Sequence, residues 1–204
     1  MVSPAFIAFE GVDGSGKSTQ IELLRQRLRN DGCEPLVVRE PGGTALGEEV
    51  RNILLHREEI ALHVDTEALL FLASRVQLFE EKIRPTLAAD EWVISDRFYL
   101  STLVYQGWAA GRDVDALRRL ISVVLGERRP RLFVVIDTPW EICQQRVGDS
   151  PDRFEGRQGF LEKVADGFRS CAALDGDTVI HIDGEGSADD VAVRVWEGVC
   201  SALS

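Results

Sequence analysis

Short apolar runs alternate along the chain with longer segments in which apolar residues return every three or four positions. A short continuous apolar run is typical of a strand buried on both faces, and the longer spacing is typical of a helix that packs against a sheet. Strands and helices that alternate in this way form a parallel α/β sheet with helices on both faces. Strands are predicted at residues 5–9, 35–39, 92–95, 132–137 and 179–183.

Three polar residues stand where helices should begin. Asp113, Thr138 and Ser187 each precede a segment with helical apolar spacing. Their side-chain oxygens can accept hydrogen bonds from the N–H groups that the first turn of a helix leaves unpaired. Thr138 carries the strongest signal, because a proline and then a glutamate follow it in the first turn.

The longest helix is predicted at residues 66–88, with Asp65 or Thr66 as its cap. Pro85 lies late in this segment and predicts a kink or an earlier end. The apolar face is broader than one neighbouring sheet face needs. Its members are Leu69, Leu70, Leu72, Ala73, Val76, Phe79 and Ile83.

Length and composition indicate one domain over residues 1–204, large enough for a real core. No stretch approaches the ~18 apolar residues of a membrane span, and residues 1–4 lack the features of a signal peptide. The cysteines and histidines show neither paired nor metal-binding spacing, so we expect reduced thiols in a cytoplasmic protein. They are Cys33, Cys143, Cys171, Cys200, His56, His63 and His181.

The formal net charge of −11 argues against non-specific binding to nucleic acid. On so acidic a chain, an anionic ligand needs a local cluster of positive side chains, and individual cations therefore matter. Arg51 can be a solvated surface charge. Arg75 lies among apolar residues, and it either extends to solvent or points at a ligand.

Residues 11–18 read Gly-Val-Asp-Gly-Ser-Gly-Lys-Ser, which fits the pattern of a phosphate-binding loop. The glycines permit backbone angles that let successive N–H groups turn toward an anion. Lys17 would reach the β- and γ-phosphates, and the Ser18 hydroxyl would bind Mg²⁺. A short match can arise by chance. Here a predicted buried strand precedes the motif and a predicted helix follows it, which is the order that a phosphate-binding loop requires.

Further short motifs follow the phosphate loop. Asp96 and Arg97 come directly after a predicted strand, where ligands bind in open α/β sheets. A polar stretch with three glycines lies at residues 148–159, and it is either a solvated surface loop or a mobile lid. The distinctive segments are FEGVDGSGKST at 9–19, REPGGT at 39–44, DRF at 96–98 with Ser101, YQG at 105–107 and DRFE at 152–155.

In this order and at this spacing, over nearly the whole chain, these segments closely resemble thymidylate kinase. The resemblance implies a P-loop fold like that of the nucleoside-monophosphate kinases, with a five-stranded parallel sheet. It implies transfer of the ATP γ-phosphoryl group to dTMP, which serves dTTP synthesis. Members of the family are generally homodimers through the long helix, here 66–88, which would account for its broad apolar face.

The resemblance also implies a set of residues for ATP and Mg²⁺. Lys17 and Arg97 would stabilise the transferring phosphoryl group, and Ser18 with Asp96 would serve Mg²⁺. The residues expected at ATP are Gly11, Val12, Asp13, Gly14, Ser15, Gly16, Lys17, Ser18, Thr19 and Arg157.

For dTMP, the resemblance implies that Arg51 and Arg97 hold the phosphate and Asp13 meets the sugar 3′-hydroxyl. Phe71 would stack on thymine, and Tyr105 would pack under C2′ of the sugar. Arg75 and Ser101 would bond the polar edge of the base. The expected dTMP residues are Asp13, Glu40, Pro41, Arg51, Phe71, Arg75, Arg97, Ser101, Tyr105 and Gln106.

Another arginine is needed where charge develops on the γ-phosphoryl group. In one branch of the thymidylate kinase family it lies in the phosphate loop, and in the other it comes from the lid. None of the variable loop residues here is cationic, whereas the lid contains Arg153 and Arg157. The chain therefore resembles the lid-arginine branch, with Arg153 the first candidate for a catalytic residue.

Two other functions stay open from sequence. One is a kinase of the same fold that acts on another nucleoside monophosphate or on a small metabolite. The other is a switch that binds a nucleotide without fast transfer. The Asn-Lys-x-Asp segment that usually binds guanine is absent, since the only lysines are Lys17, Lys82 and Lys163.

Overall fold

All five predicted strands are present in the computed structural model, which describes residues 3–147, 159–170 and 176–204. They pair in parallel in the spatial order β2-β3-β1-β4-β5, which confirms the predicted sheet. The strands are Phe6–Glu10 (β1), Leu36–Arg39 (β2), Val93–Asp96 (β3), Leu132–Asp137 (β4) and Val179–Asp183 (β5).

The described helices lie between these strands. Three segments are π-helical: Asn52–His56, Phe79–Ile83 and Leu103–Ala109. The α-helices are Lys17–Asn30 (α1), Ala45–Arg51 (α2), Val64–Leu78 (α3), Arg84–Ala88 (α4), Tyr99–Thr102 (α5), Val114–Leu125 (α6), Trp140–Val147 (α7), Phe160–Ser170 (α8) and Ala188–Leu203 (α9).

The sheet separates two hydrophobic cores, because successive side chains of a strand point to opposite faces. Phe6 and Ala8 of β1 belong to a core shared with α3, α5, α6 and α8. Ile7 and Phe9 belong to a second core shared with α1 and α9. Every residue of β1 is buried, as the continuous apolar run predicts.

The long helix differs from its prediction at its start and near its end. It begins at Val64, and the capping side chain is His63, whose Nδ1 accepts a hydrogen bond from Asp65 N at 3.3 Å. Pro85 does not end it, because the π-helical segment Phe79–Ile83 comes just before α4. A π-helical turn changes the hydrogen-bond spacing where the missing N–H and the ring of proline would otherwise disturb an α-helix.

Two further segments differ from the predicted elements. α5 and the π-helical segment after it occupy residues 99–109, a region to which the sequence analysis assigns no element. α7 begins at Trp140, and Pro139 O accepts the first turn's bonds, so Thr138 is not its cap. The Ser187 prediction is confirmed, since its hydroxyl accepts from Asp190 N and the Asp190 carboxylate accepts from Ser187 N.

No helix within the described ranges combines the length and the apolar character that crossing a membrane requires.

Candidate active site

The phosphate loop joins β1 to α1 at the carboxyl edge of the sheet. Gly11, Gly14 and Gly16 all have positive φ angles, of 136°, 80° and 101°. Gly11 has a second reason to be glycine: a Cβ there would lie 2.7 Å from Ile136 O, a backbone atom that cannot move aside. The loop therefore needs glycine both for its turn and for its close approach to β4.

Lys17 is the first residue of α1, and it is buried with only 5% of its surface exposed. Its ammonium group donates hydrogen bonds to Gly11 O at 3.0 Å and to Val12 O at 2.8 Å. Burial lowers the pKa of Lys17 to about 8, and the neighbouring charge of Arg97 adds to this effect, while Asp13 at 3.6 Å opposes it. The loop thus holds a desolvated cation on its own carbonyl oxygens, at the wall of the cavity described below.

Two residues of the β4–α7 region hold the outer part of the loop. The buried Thr138 hydroxyl donates to Ser15 O at 2.9 Å. Arg146 Nη1 donates to Gly14 O at 3.2 Å. Sequence reasoning did not place Thr138 here, because a threonine before Pro139 has the pattern of a helix cap.

A cavity borders the phosphate loop, and we call it the loop cavity. Of the residues expected at ATP, Gly11, Val12 and Ser15 are buried and do not line this cavity. Arg39 and Arg146 are residues of the wall that sequence reasoning did not assign. The lining residues are Asp13, Gly14, Gly16, Lys17, Ser18, Thr19, Arg39, Glu40, Arg51, Asp96, Arg97 and Arg146.

Ser18 and Asp96, the two residues expected at Mg²⁺, are in contact at the wall of the loop cavity. The Ser18 hydroxyl donates to Asp96 Oδ2 at 3.3 Å. Among the described residues, no group of three or more histidine, cysteine or acidic side chains could hold a metal alone. A site with only two protein oxygens fits Mg²⁺, which keeps several waters and binds substrate phosphates.

Arg97 follows β3 with a φ of 71° and lies between the phosphate loop and the rest of the site. Its guanidinium group donates to Gly11 O at 3.0 Å, to Ser101 Oγ at 3.0 Å and to Asp13 Oδ1 at 2.5 Å. It also lies 5.4 Å from the centre of the Tyr105 ring. Burial opposes its charge, yet Asp13 and other neighbouring groups raise its pKa well above the usual value, so Arg97 is a fixed cation.

A second cavity, which we call the inner cavity, lies on the other side of Arg97. All the residues expected at dTMP line it, and so do Leu55 and Thr102, which sequence reasoning missed. Thr102 follows Ser101 in the sequence, but no pattern distinguishes it from its neighbours. The lining residues are Asp13, Glu40, Pro41, Arg51, Leu55, Phe71, Arg75, Arg97, Ser101, Thr102, Tyr105 and Gln106.

Arg75 does not extend to solvent, because only 1% of its surface is exposed. Its Nε donates to Glu40 Oε2 at 2.6 Å, and its Nη1 donates to Thr102 Oγ1 at 3.1 Å. Burial raises the pKa of Glu40 to about 7, although the Arg75 charge opposes that rise. A buried arginine held at two of its nitrogens is a rigid hydrogen-bond donor at the wall of the inner cavity.

The remaining predicted residues surround the inner cavity from several elements. Arg51 Nη1 donates to Pro41 O at 2.9 Å, and Arg51 lines both cavities rather than an open surface. Gln106 Nε2 donates to Glu67 Oε2 at 3.4 Å in a buried contact. Tyr105 packs with its ring centre 6.2 Å from that of Phe160. Arg153 and Arg157 lie outside the described residues.

The central strand of the parallel sheet leads into a phosphate loop, and the half-buried Arg97 lines both cavities. This combination defines a P-loop kinase that acts on a small acceptor. Comparison with known proteins gives the family. The family profile described as thymidylate kinase matches residues 9–195. The chain therefore belongs to the thymidylate kinase family.

Individual thymidylate kinases are similar in sequence to this chain over most of their length. A thymidylate kinase from Caldanaerobacter subterraneus subsp. tengcongensis is 44% identical, over 88% of this chain and 86% of the relative. One from Rhodopseudomonas palustris is 40% identical, over 95% of this chain and 87% of the relative. The crystal structure of thymidylate kinase from Ehrlichia chaffeensis superposes with a TM-score of 0.76 at 32% identity, over 97% of this chain and 99% of that one.

Proposed function

We propose that the inner cavity binds dTMP and the loop cavity binds the phosphates of ATP. The chain is an enzyme of the thymidylate kinase family, an ATP:dTMP phosphotransferase that forms dTDP and ADP in dTTP synthesis. One observation carries the assignment of the two cavities. Asp13, Glu40, Arg51 and Arg97 line both of them, so the acceptor phosphate and the γ-phosphate of ATP would meet there.

On the ATP side, the backbone N–H groups of residues 11–19 surround the phosphates, and the α1 N-terminus adds its partial positive charge. Lys17 moves from the loop carbonyls to the β- and γ-phosphates, because a polyphosphate is a stronger acceptor than a carbonyl. Ser18 and Asp96 hold Mg²⁺, which supplies positive charge at the phosphates. The fit of the two oxygens to that ion supports this assignment.

On the dTMP side, Arg51 and Arg97, which both line the inner cavity, hold the phosphate group. Asp13 accepts from the sugar 3′-hydroxyl, and Tyr105 packs under C2′. Phe71 stacks on the base, whose polar edge meets Arg75 and Ser101. The support is that all these side chains line one cavity, although they come from separate elements.

The chemical step requires little covalent work from the protein, so positioning and fixed charge supply the acceleration. Arg97 lies at the junction of the cavities, where it neutralises charge as the phosphoryl group passes from donor to acceptor. Arg153 supplies the second cation from the lid, at residues 148–159, and Arg157 supports ATP. These lid roles rest on the family resemblance of residues 152–155.

We further propose a cytoplasmic homodimer of a single kinase domain over residues 1–204. Leu69 of α3 is 54% exposed, and Leu120 of α6 is 36% exposed. Both line a third cavity, so the two helices present apolar side chains side by side. An exposed apolar patch of this kind is typical of a contact between subunits.

The reaction is tested by ADP release with dTMP, dUMP, dCMP, dGMP, dAMP and UMP as separate acceptors. The highest kcat/KM is expected with dTMP, and only slow release is expected without an acceptor. A better acceptor elsewhere in the panel would identify a kinase of the same fold with another substrate. Fast ADP release without any acceptor would identify a nucleotide-dependent switch.

A further inference from the structure

Glu10 is a fully buried carboxylate at the end of β1 with no assigned role in the reaction. Its Oε1 accepts from Phe98 N at 2.8 Å and from Ser101 N at 3.2 Å. Its Oε2 accepts from Ser101 Oγ at 2.5 Å. Both carboxylate oxygens are therefore directed at the segment that brings Ser101 to the wall of the inner cavity.

The groups around Glu10 indicate which partner donates. A backbone N–H cannot accept, so Oε1, which accepts from Phe98 N and Ser101 N, carries no proton. Burial raises the pKa of Glu10 above its usual value, but the Ser101 hydrogen bond, the charge of Arg97 and the two N–H groups all favour the ionised carboxylate. The Ser101 hydroxyl therefore donates to Oε2, at 2.5 Å.

The hydroxyl of Ser101 has one hydrogen to donate and two lone pairs. Its hydrogen goes to Glu10, and one lone pair accepts from Arg97 Nη1 at 3.0 Å. What remains is one lone pair, on a side chain that lines the inner cavity. Toward a bound base, Ser101 can therefore only accept a hydrogen bond.

We propose that Glu10 is a positioning residue that fixes Ser101 as an acceptor, and that it thereby selects a pyrimidine with N3–H over one whose N3 is itself an acceptor. This inference rests on the proposed binding of the base beside Ser101. Thymine and uracil carry a hydrogen on N3, and cytosine does not. Arg75, a donor, faces the carbonyl O4 of thymine, where cytosine has an amino group. Arg75 and Ser101 together match the polar edge of thymine and oppose that of cytosine.

The substitution Glu10→Gln reverses the hydroxyl without changing the size of the side chain. The amide oxygen must take the place of Oε1, because the N–H groups of Phe98 and Ser101 require an acceptor. The amide nitrogen then donates to Ser101 Oγ, whose hydrogen turns toward the inner cavity. We expect the ratio of kcat/KM for dTMP to that for dCMP to fall at least tenfold, since unmatched buried polar groups discriminate strongly.

Two controls separate this effect from damage to the fold. The dTMP to dUMP ratio should not change in Glu10→Gln, because both bases carry N3–H and differ only in a methyl group. Ser101→Ala should also lower the dTMP to dCMP ratio, and adding Glu10→Gln to that variant should change the ratio no further. Ser101→Ala also provides the test if Glu10→Gln does not fold.

An unchanged dTMP to dCMP ratio in a folded Glu10→Gln enzyme, or in Ser101→Ala, would overturn the inference. An equal fall in the dTMP to dCMP ratio and in the dTMP to dUMP ratio would overturn it as well, because general distortion of the site would lower both. Failure of the wild-type enzyme to prefer dTMP in the acceptor panel would instead overturn the proposed function. The two failures are therefore distinguishable.

Discussion

Lys17 should weaken the fold of the free enzyme while it serves the reaction, so Lys17→Met should be more stable and much less active. The pKa of Lys17 falls from an ordinary 10.5 to about 8 because folding removes its charge from water. Since one pKa unit is worth about 1.4 kcal/mol, the charged lysine costs about 3 kcal/mol of unfolding free energy at pH 7.

The hydrogen bonds that the substitution removes offset only part of this gain. Gly11 O keeps a bond from Arg97 Nη1 at 3.0 Å, and Val12 O keeps one from Ser15 N at 3.2 Å. Neither carbonyl is left without a donor, so the usual penalty for an unpaired buried acceptor does not arise. We expect Lys17→Met to gain about 1–3 kcal/mol, which is roughly 2–10 °C in Tm for a chain of this size.

The assay is urea unfolding in the absence of nucleotide, monitored by circular dichroism at several pH values between 7 and 10. Below pH 8 the lysine is charged in both states, and its cost is complete. Between pH 8 and 10.5 only the unfolded state keeps the proton, so the wild type gains stability as pH rises. The difference between wild type and Lys17→Met should therefore close over this range.

Two comparisons make the test specific. Lys82→Met removes an exposed lysine and should change stability by less than about 0.5 kcal/mol. Turnover by Lys17→Met should fall by ~10³-fold or more, because a cation on the transferring group is lost. A Lys17→Met protein less stable than wild type at pH 7, or a difference that does not depend on pH, would refute the reasoning.

Three further predictions concern the lid, the sugar and the subunit contact. Arg153→Ala should lower kcat strongly and change KM for dTMP little. A near-normal kcat in Arg153→Ala, in Arg157→Ala and in the double variant would exclude a catalytic arginine in the lid. Tyr105→Ala should narrow the preference for dTMP over its ribonucleotide counterpart, and an unchanged ratio would leave Tyr105 a core residue. Leu69→Asp should yield monomers in sedimentation, whereas Val193→Asp, on the exposed face of α9, should leave the dimer intact. Dimers in both variants would exclude a subunit contact through α3.

The sheet and the phosphate loop were predictable because their signals are local. A strand buried on both faces needs a continuous apolar run, and the loop needs glycine at positions such as Gly11. The long helix was predictable in extent, since α4 ends at Ala88 as predicted, but its π-helical segment was not. Pro85 is compatible with either a break or a π-helical turn before it, and no local pattern distinguishes the two.

The arginines show where local signals stop. From sequence, Arg75 could extend to solvent or face a ligand, and its nearest carboxylate partner, Glu40, is 35 positions away in the chain. Arg51 has the same ambiguity until Pro41 O and both cavities are in place. The family resemblance named these residues, and their ligand contacts stay predictions.

Strand pattern, the phosphate loop and the family therefore follow from the sequence itself, since each depends on residues close together in the chain or on short motifs in a set order. The bond from Ser101 to Glu10, 91 positions apart, exists only because β1 lies beside β3. The bond from Thr138 to Ser15 likewise requires β4 on the other side of β1. Tertiary structure alone decided these contacts, because strand order brings together side chains that no local pattern connects.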